Sequence, residues 1–149
     1  MADIEILEVV DSNKKFFKRY RKNRAKVERL ENKKKIKYDR MLTVRSPNLS
    51  GMPRGGTPVT IQDLQADISE IEDRIERLNI QGRKIKAELV SVIDEIEDTR
   101  YADVLELWSI ECMSISEIAE ELGYTERHIY TLYKEALENI SIDTVIVQY

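Results

Sequence analysis

The sequence predicts an all-α protein, in which a long N-terminal helical hairpin of coiled-coil type is followed by a C-terminal three-helix unit with helix-turn-helix character. Three observations carry this expectation. An apolar seam with alternating steps of three and four runs from Ile61 to Ile96. Every proline, and four of the five glycines, falls between Pro47 and Gly82. Beyond residue 98, two cap sequences flank a single glycine. The expected boundaries are 1–98 for the hairpin, with a Pro/Gly-rich bend at 44–60, and 99–149 for the helix-turn-helix domain with a short tail.

The first helix is expected from about Ser12 to Met41, a stretch rich in Lys, Arg and Glu and without Pro or Gly. It holds fourteen Lys or Arg against three acids, a local balance of +11. Phe16, Phe17, Tyr20, Val27, Leu30, Tyr38 and Met41 fall near helical spacing and form a thin apolar face that Lys34 interrupts. Two readings of the basic residues stay open: a solvated face paired with acids of the same chain, or a surface for nucleic acid or membrane.

"SPNLSGMPRGGTP", residues 46–58, contains all three prolines and three glycines, so it cannot continue a helix. It is expected to be the bend of an antiparallel hairpin. The bend does not require a cation, which leaves Arg54 as a candidate contact residue.

The second helix carries the seam Ile61, Leu64, Ile68, Ile71, Ile75, Leu78, Gly82, Ile85, Leu89, Val92 and Ile96. Thr60 is expected as its N-cap, with Asp63 three residues on. Gly82 lies on the seam, where the missing side chain admits a close partner or leaves a weak point. The stretch 61–98 has a balance of -6, so a closed hairpin lays a basic helix against an acidic one. An open one would offer the seam to a second copy, as a homodimer.

The last third divides into three short helices. Arg100 to Ile110 is amphipathic through Val104, Leu105, Leu107 and Trp108. Ser114 opens "SISE", a capping box, and Gly123 ends the helix that follows. Thr125 caps a third helix running to about Asn139. A short helix, a turn containing Gly and a longer helix form the helix-turn-helix pattern, whose second helix enters the major groove of duplex DNA. Ile129, Leu132 and Leu137 are expected to face inward, which turns Glu126, Arg127, His128, Tyr130, Thr131 and Lys134 outward. Arg127 suits a guanine, His128 and Thr131 suit bases or phosphates, and Tyr130 and Lys134 suit the backbone. The tail "SIDTVIVQY" is β-branched and is expected either to fray or to pack on the bundle.

Several classes receive no support. One Cys and one His are too few for a disulfide or a zinc site, so neither metal nor cofactor is expected. No catalytic pairing of Ser, His, Asp or Cys is apparent and "RGGTP" lacks phosphate-loop spacing, so an enzyme is not expected. No apolar run approaches the roughly 20 residues of a membrane span, and the N-terminus carries acids where a secretory signal carries bases, so the chain is expected to be cytoplasmic.

"SISEIAEELGYTERHIYTLYKEAL" resembles the helix-turn-helix of sigma-factor region 4, in which a similar "EIAEELGVT" turn precedes a helix of the form "R-x-I-x-x-I-x-x-A-L". The order of a charged helix, the insert "LSGMPRGG", a long helix and "RYADVLELWSIECMSISEIAEELGYTERHIY" resembles the phage late-gene transcriptional regulators of the ArpU/RinA type. That resemblance covers about Phe16 to Asn139. It implies a sequence-specific regulator of phage or prophage genes in a bacterial host cell, with duplex DNA as partner and host RNA polymerase as a second one. By position it implies readout by Arg127, His128 and Thr131, with Thr125 near a phosphate. The motif departs from the pattern in having fewer Arg and in sitting in a segment of balance -7. Phosphate contacts would then have to come from the basic helix with Arg54, or from paired recognition helices in a dimer. An alternative function is a non-enzymatic module that docks its acidic surface, including Glu117, Glu120 and Glu121, on a protein.

Overall fold

The structure, a computed structural model, describes residues 2–45 and 60–140, with side chains from Glu8 to Thr43 and from Thr60 to Ile140. The bend at 46–58 with Arg54, and the tail from Ser141 onward, lie outside the described residues. The described residues are all-helical: α1 (Ala2–Arg45), α2 (Ile61–Asp94), α3 (Thr99–Ser109), α4 (Ile115–Leu122) and α5 (Glu126–Asn139). Helix α1 is longer at both ends than the expected span of Ser12 to Met41. The flanking residues contain no helix breaker, so the helix runs past the basic run that marked it in the sequence. At the start of α2, Thr60 and Asp63 form the expected reciprocal cap. Asp63 N donates to Thr60 Oγ1 at 3.1 Å and Thr60 N donates to Asp63 Oδ2 at 3.3 Å.

Packing divides the chain into two compact units, one of residues 24–81 and one of residues 1–23 with 82–149. In the unit 24–81, α1 and α2 pair antiparallel. Arg24 Nη2 donates to Asn79 Oδ1 at 3.0 Å and Lys37 Nζ to Asp67 Oδ2 at 3.0 Å, so partner numbers fall as the first helix advances. Leu30 packs with Ile71 and Ile75, and Met41 with Leu64 and Ile68. The seam of α2 is therefore covered within the chain, and a second copy would need another face. Tyr38, expected on the apolar face, is 46% exposed, and its hydroxyl reaches toward Glu72. Two lysines hold that region of the seam instead. Lys34 and Lys37 are half-buried, laying apolar stems along the groove while their amines reach Glu31 at 3.2 Å and Asp67 at 3.0 Å.

In the other unit, α3, α4 and α5 do not close a core by themselves. Helices of 11, 8 and 14 residues bury too little apolar surface for that. Phe16 and Phe17 from α1 and Leu89, Val92 and Ile93 from α2 join Val104, Leu105, Ile118, Ile129, Leu132 and Leu137 in one buried cluster. Each fully buried member contributes about 1.5–3 kcal/mol of transfer free energy. The rings of Phe16 and Phe17 meet edge-on at 5.2 Å between centroids, the arrangement their quadrupoles favour. Residue 98 is therefore a boundary between helices and not between packing units. Gly82, on the seam, is buried.

Candidate nucleic-acid interface

Three local signals build the helix-turn-helix. Ser114 Oγ accepts from Glu117 N at 3.2 Å and donates to Glu117 Oε1 at 3.1 Å, which starts α4. Gly123 ends it with φ 73°, a left-handed conformation in which its N–H returns to Ala119 O. Tyr124 N donates to the same carbonyl at 3.0 Å. Thr125 then opens α5, its Oγ1 accepting from His128 N at 3.2 Å. The turn is thus only three residues long, 123–125, and the two helices share the buried residues Ile118, Ala119, Ile129 and Leu132.

This packing decides which face of α5 remains open. Ile129, Leu132, Tyr133, Ala136 and Leu137 are buried, while Glu126, Arg127, Tyr130, Thr131 and Lys134 are exposed. Tyr130 is 60% exposed, a large aromatic side chain projecting from the helix. The expected contact residues differ in what else they do. Among the described residues, the side chains of Arg127, Tyr130 and Lys134 have no partner, and they lie exposed along this face. Thr131 Oγ1 donates to Arg127 O at 3.1 Å, one turn back, and can still accept from a ligand. Thr125 spends its hydroxyl on the cap, and its exposed position puts the helix N-terminus, with its free amides, at the surface. His128 is half-buried, its ring edge-on to Tyr124 at 4.8 Å and 76°, so that aromatic pair flanks the turn. Arg54 lies outside the described residues.

Exposed acids stand on both helices of the motif. Glu117, Glu120 and Glu121 are exposed on α4, beside the exposed Glu126 at the start of α5.

Several residues that hold this arrangement carry no signal in a local reading of the sequence. Arg21, from the basic run, donates Nη1 to Trp108 O at 2.8 Å and Met113 O at 3.0 Å, and its guanidinium lies 3.7 Å from the centre of the Trp108 ring. It occupies the Trp108 carbonyl in the last turn of α3 and the Met113 carbonyl just before the N-cap of α4. Asn13 is buried and bonds the end of α5 through Nδ2. Tyr101 donates to Glu135 Oε2 at 2.9 Å, linking α3 to α5, and this bond followed by partial burial pushes its phenol pKa upward. Burial pushes the Tyr133 phenol up as well, and the facing Trp108 N–H pulls it part of the way back. Among the described residues, neither Tyr133 Oη nor Trp108 Nε1 has a hydrogen bond of ordinary length. Asp98 caps α3 by accepting from Arg100 N at 3.0 Å, and the Arg100 guanidinium holds its carboxyl below the usual carboxylate range. A composition shift at residue 98 marks the place, but not the pairing.

Among the described residues, no helix is long and apolar enough to cross a membrane. The model of a family described as "Protein of unknown function (DUF1492)" matches residues 43–141. No curated protein and no solved structure matches the chain.

Proposed function

The chain belongs to the DUF1492 family, and we propose that it is a sequence-specific, DNA-binding transcriptional regulator of phage or prophage genes that lays α5 in the major groove. One observation carries the reading. The three-residue turn 123–125 joins two capped helices and leaves an open face on the second, with Arg127, Tyr130, Thr131 and Lys134 side by side. Arg127 sits in the first turn of α5, where a recognition helix reaches base edges, and its fork suits the two acceptors of a guanine. Tyr130 and Lys134 follow at helical spacing toward the phosphates. The resemblance to sigma-factor region 4 and to the ArpU/RinA-type regulators supports the same assignment.

The test is selection of the purified protein on random duplex DNA at about 50 and 150 mM salt, with an Arg127→Ala/His128→Ala variant beside it. The expected result is an enriched motif that the variant loses while staying folded. Absence of any enrichment at both salts would remove the reading.

A second reading is favoured by the exposed acids Glu117, Glu120 and Glu121 of α4. They suit a basic protein surface, such as one on host RNA polymerase, and would make the unit a docking module. Capture of purified polymerase, lost on changing the three acids to Gln, would support it.

A further inference from the structure

We infer that the unit 24–81 carries a phosphate-binding face for duplex DNA, made by Lys26, Arg29, Lys33 and Arg40 of α1 with Arg74 of α2. The inference rests on the DNA-binding reading and names the surface that supplies the backbone affinity which the acidic helix-turn-helix lacks.

Positions 26, 29, 33, 36 and 40 step by three and four, so they form one row along the helix, on one flank of the buried seam. All five are exposed, four are cationic, none is an acid, and the fifth is Ile36 at 52% exposure. From Lys26 to Arg40 the row is about 21 Å long at 1.5 Å per residue. Arg74 joins it from α2 across a groove of about 410 Å³, which Lys33, Arg40 and Ile36 also line. The groove contains two acids. Asp67 is already held by Lys37 at 3.0 Å, which leaves Glu70 facing the cations. None of the five cations forms an ion pair among the described residues.

The other flank of the same helix is mixed. It carries Glu28, Glu31, Lys35 and Tyr38, and Glu31 is bonded to Lys34 at 3.2 Å. The positive charge is therefore one-sided, which a coat serving only solubility would not require. A membrane surface fits the row less well, because an interfacial helix buries an apolar face and the apolar seam of α1 is already covered by α2. A protein partner normally needs buried aromatic or aliphatic anchors, and Ile36 alone is a poor one. A row of cations without anchors suits phosphates, whose binding gains from counterion release and needs no pocket.

The test is the salt dependence of binding by the full chain to a labelled duplex between about 50 and 200 mM salt, for wild type and for Lys26→Gln/Arg29→Gln/Lys33→Gln/Arg40→Gln. Each lost phosphate contact makes the log–log slope shallower by about 0.9, so the variant is expected to lose about 3 to 4 in slope. Across that salt range the wild type should then weaken about a hundredfold more than the variant. Lys35→Gln, on the other flank, should leave the slope unchanged. Should the quadruple variant fail to match wild type in helicity and urea midpoint, Lys33→Gln/Arg40→Gln is expected to give about half the change. A wild-type slope in a folded variant overturns the inference, even where a selected motif upholds the reading of α5. A shallower slope in a protein that selects no motif upholds this face and removes the sequence-specific reading. Loss of binding to anionic phospholipid vesicles, with duplex binding intact, would reassign the face to a membrane and overturn the inference.

Discussion

Asn13, on the first helix, donates both protons of its amide to the end of the last described one: Nδ2 lies 2.8 Å from Leu137 O and 3.0 Å from Ile140 O. The carbonyls at a helix C-terminus lack partners within the helix, and a buried one without a partner costs about 1–3 kcal/mol. Asn13 is 3% exposed, so water cannot replace it. Asn13→Ala is expected to destabilise the protein by about 2 kcal/mol. Asn13→Asp should cost more, since it sets a carboxylate against carbonyl oxygens. Urea midpoints of the two variants would check the order, and an unchanged midpoint for both would contradict it.

Arg21 has a comparable role at the end of α3, with charge-assisted bonds to two carbonyls and stacking on Trp108. Lysine keeps the charge but cannot present the planar fork or stack in the same way. Arg21→Lys is expected to cost about 2 kcal/mol and to shift the Trp108 fluorescence. A variant as stable as wild type, with unchanged emission, would show that the guanidinium is not needed there.

Gly123 has φ 73° and nothing within 4 Å of where a Cβ would stand, so a side chain there meets strain in the backbone and no clash. Gly123→Ala is expected to cost about 1 kcal/mol, and Gly123→Asn less, because asparagine tolerates the left-handed region. Thermal melts of the two variants give the comparison. Equal losses would mean that the turn, not its φ angle, sets the cost.

Burial raises the Tyr133 phenol above its ordinary value of 10.0, and its bond to Glu135 raises that of Tyr101. A folded-state pKa above the unfolded one means that the folded state holds the proton more firmly. The associated stability is complete below pH 10 and is lost as pH rises through the folded value. Unfolding at alkaline pH is therefore expected to begin near the point where free tyrosine titrates. Tyr133→Phe removes a buried hydroxyl that lacks a good partner, so at neutral pH it should be neutral or stabilise by about 1 kcal/mol. The variant should also keep more of its stability above pH 10, as followed by urea titration at several pH values.

Where a signal lies within one or two turns of helix, the residues themselves state the structure. The caps at Thr60, Ser114 and Thr125 and the stop at Gly123 appear where their spacing puts them. So does the seam of α2 as far as Val92, while Ile96 lies beyond the end of the helix at Asp94. Most of the outward face of α5 is legible for the same reason, since the apolar spacing of Ile129, Leu132 and Leu137 leaves one side open. His128, expected outward, is instead half-buried beside Tyr124, a partner across the turn that helical spacing does not mark. Tyr38 shows the limit. Its spacing fits the seam only approximately, and the longer stems of Lys34 and Lys37 fill that place better.

The sequence by itself thus determined an all-helical chain, an apolar seam on the second helix and a helix-turn-helix pattern after it, because periodicity and capping act over three or four residues. That the seam is covered by the first helix of the same chain was decided by the packing. Only the tertiary structure decided that the base of the hairpin belongs to the core of the helix-turn-helix unit. It also decided that Arg21 and Asn13 close helix ends 87 and 124 residues away, while Lys26, Arg29, Lys33 and Arg40 stay open to solvent. The physical reason is that a cation or an amide carries no local mark of its partner. Which of fourteen similar basic side chains is used internally depends on where distant carbonyls and carboxylates arrive once the apolar faces have packed.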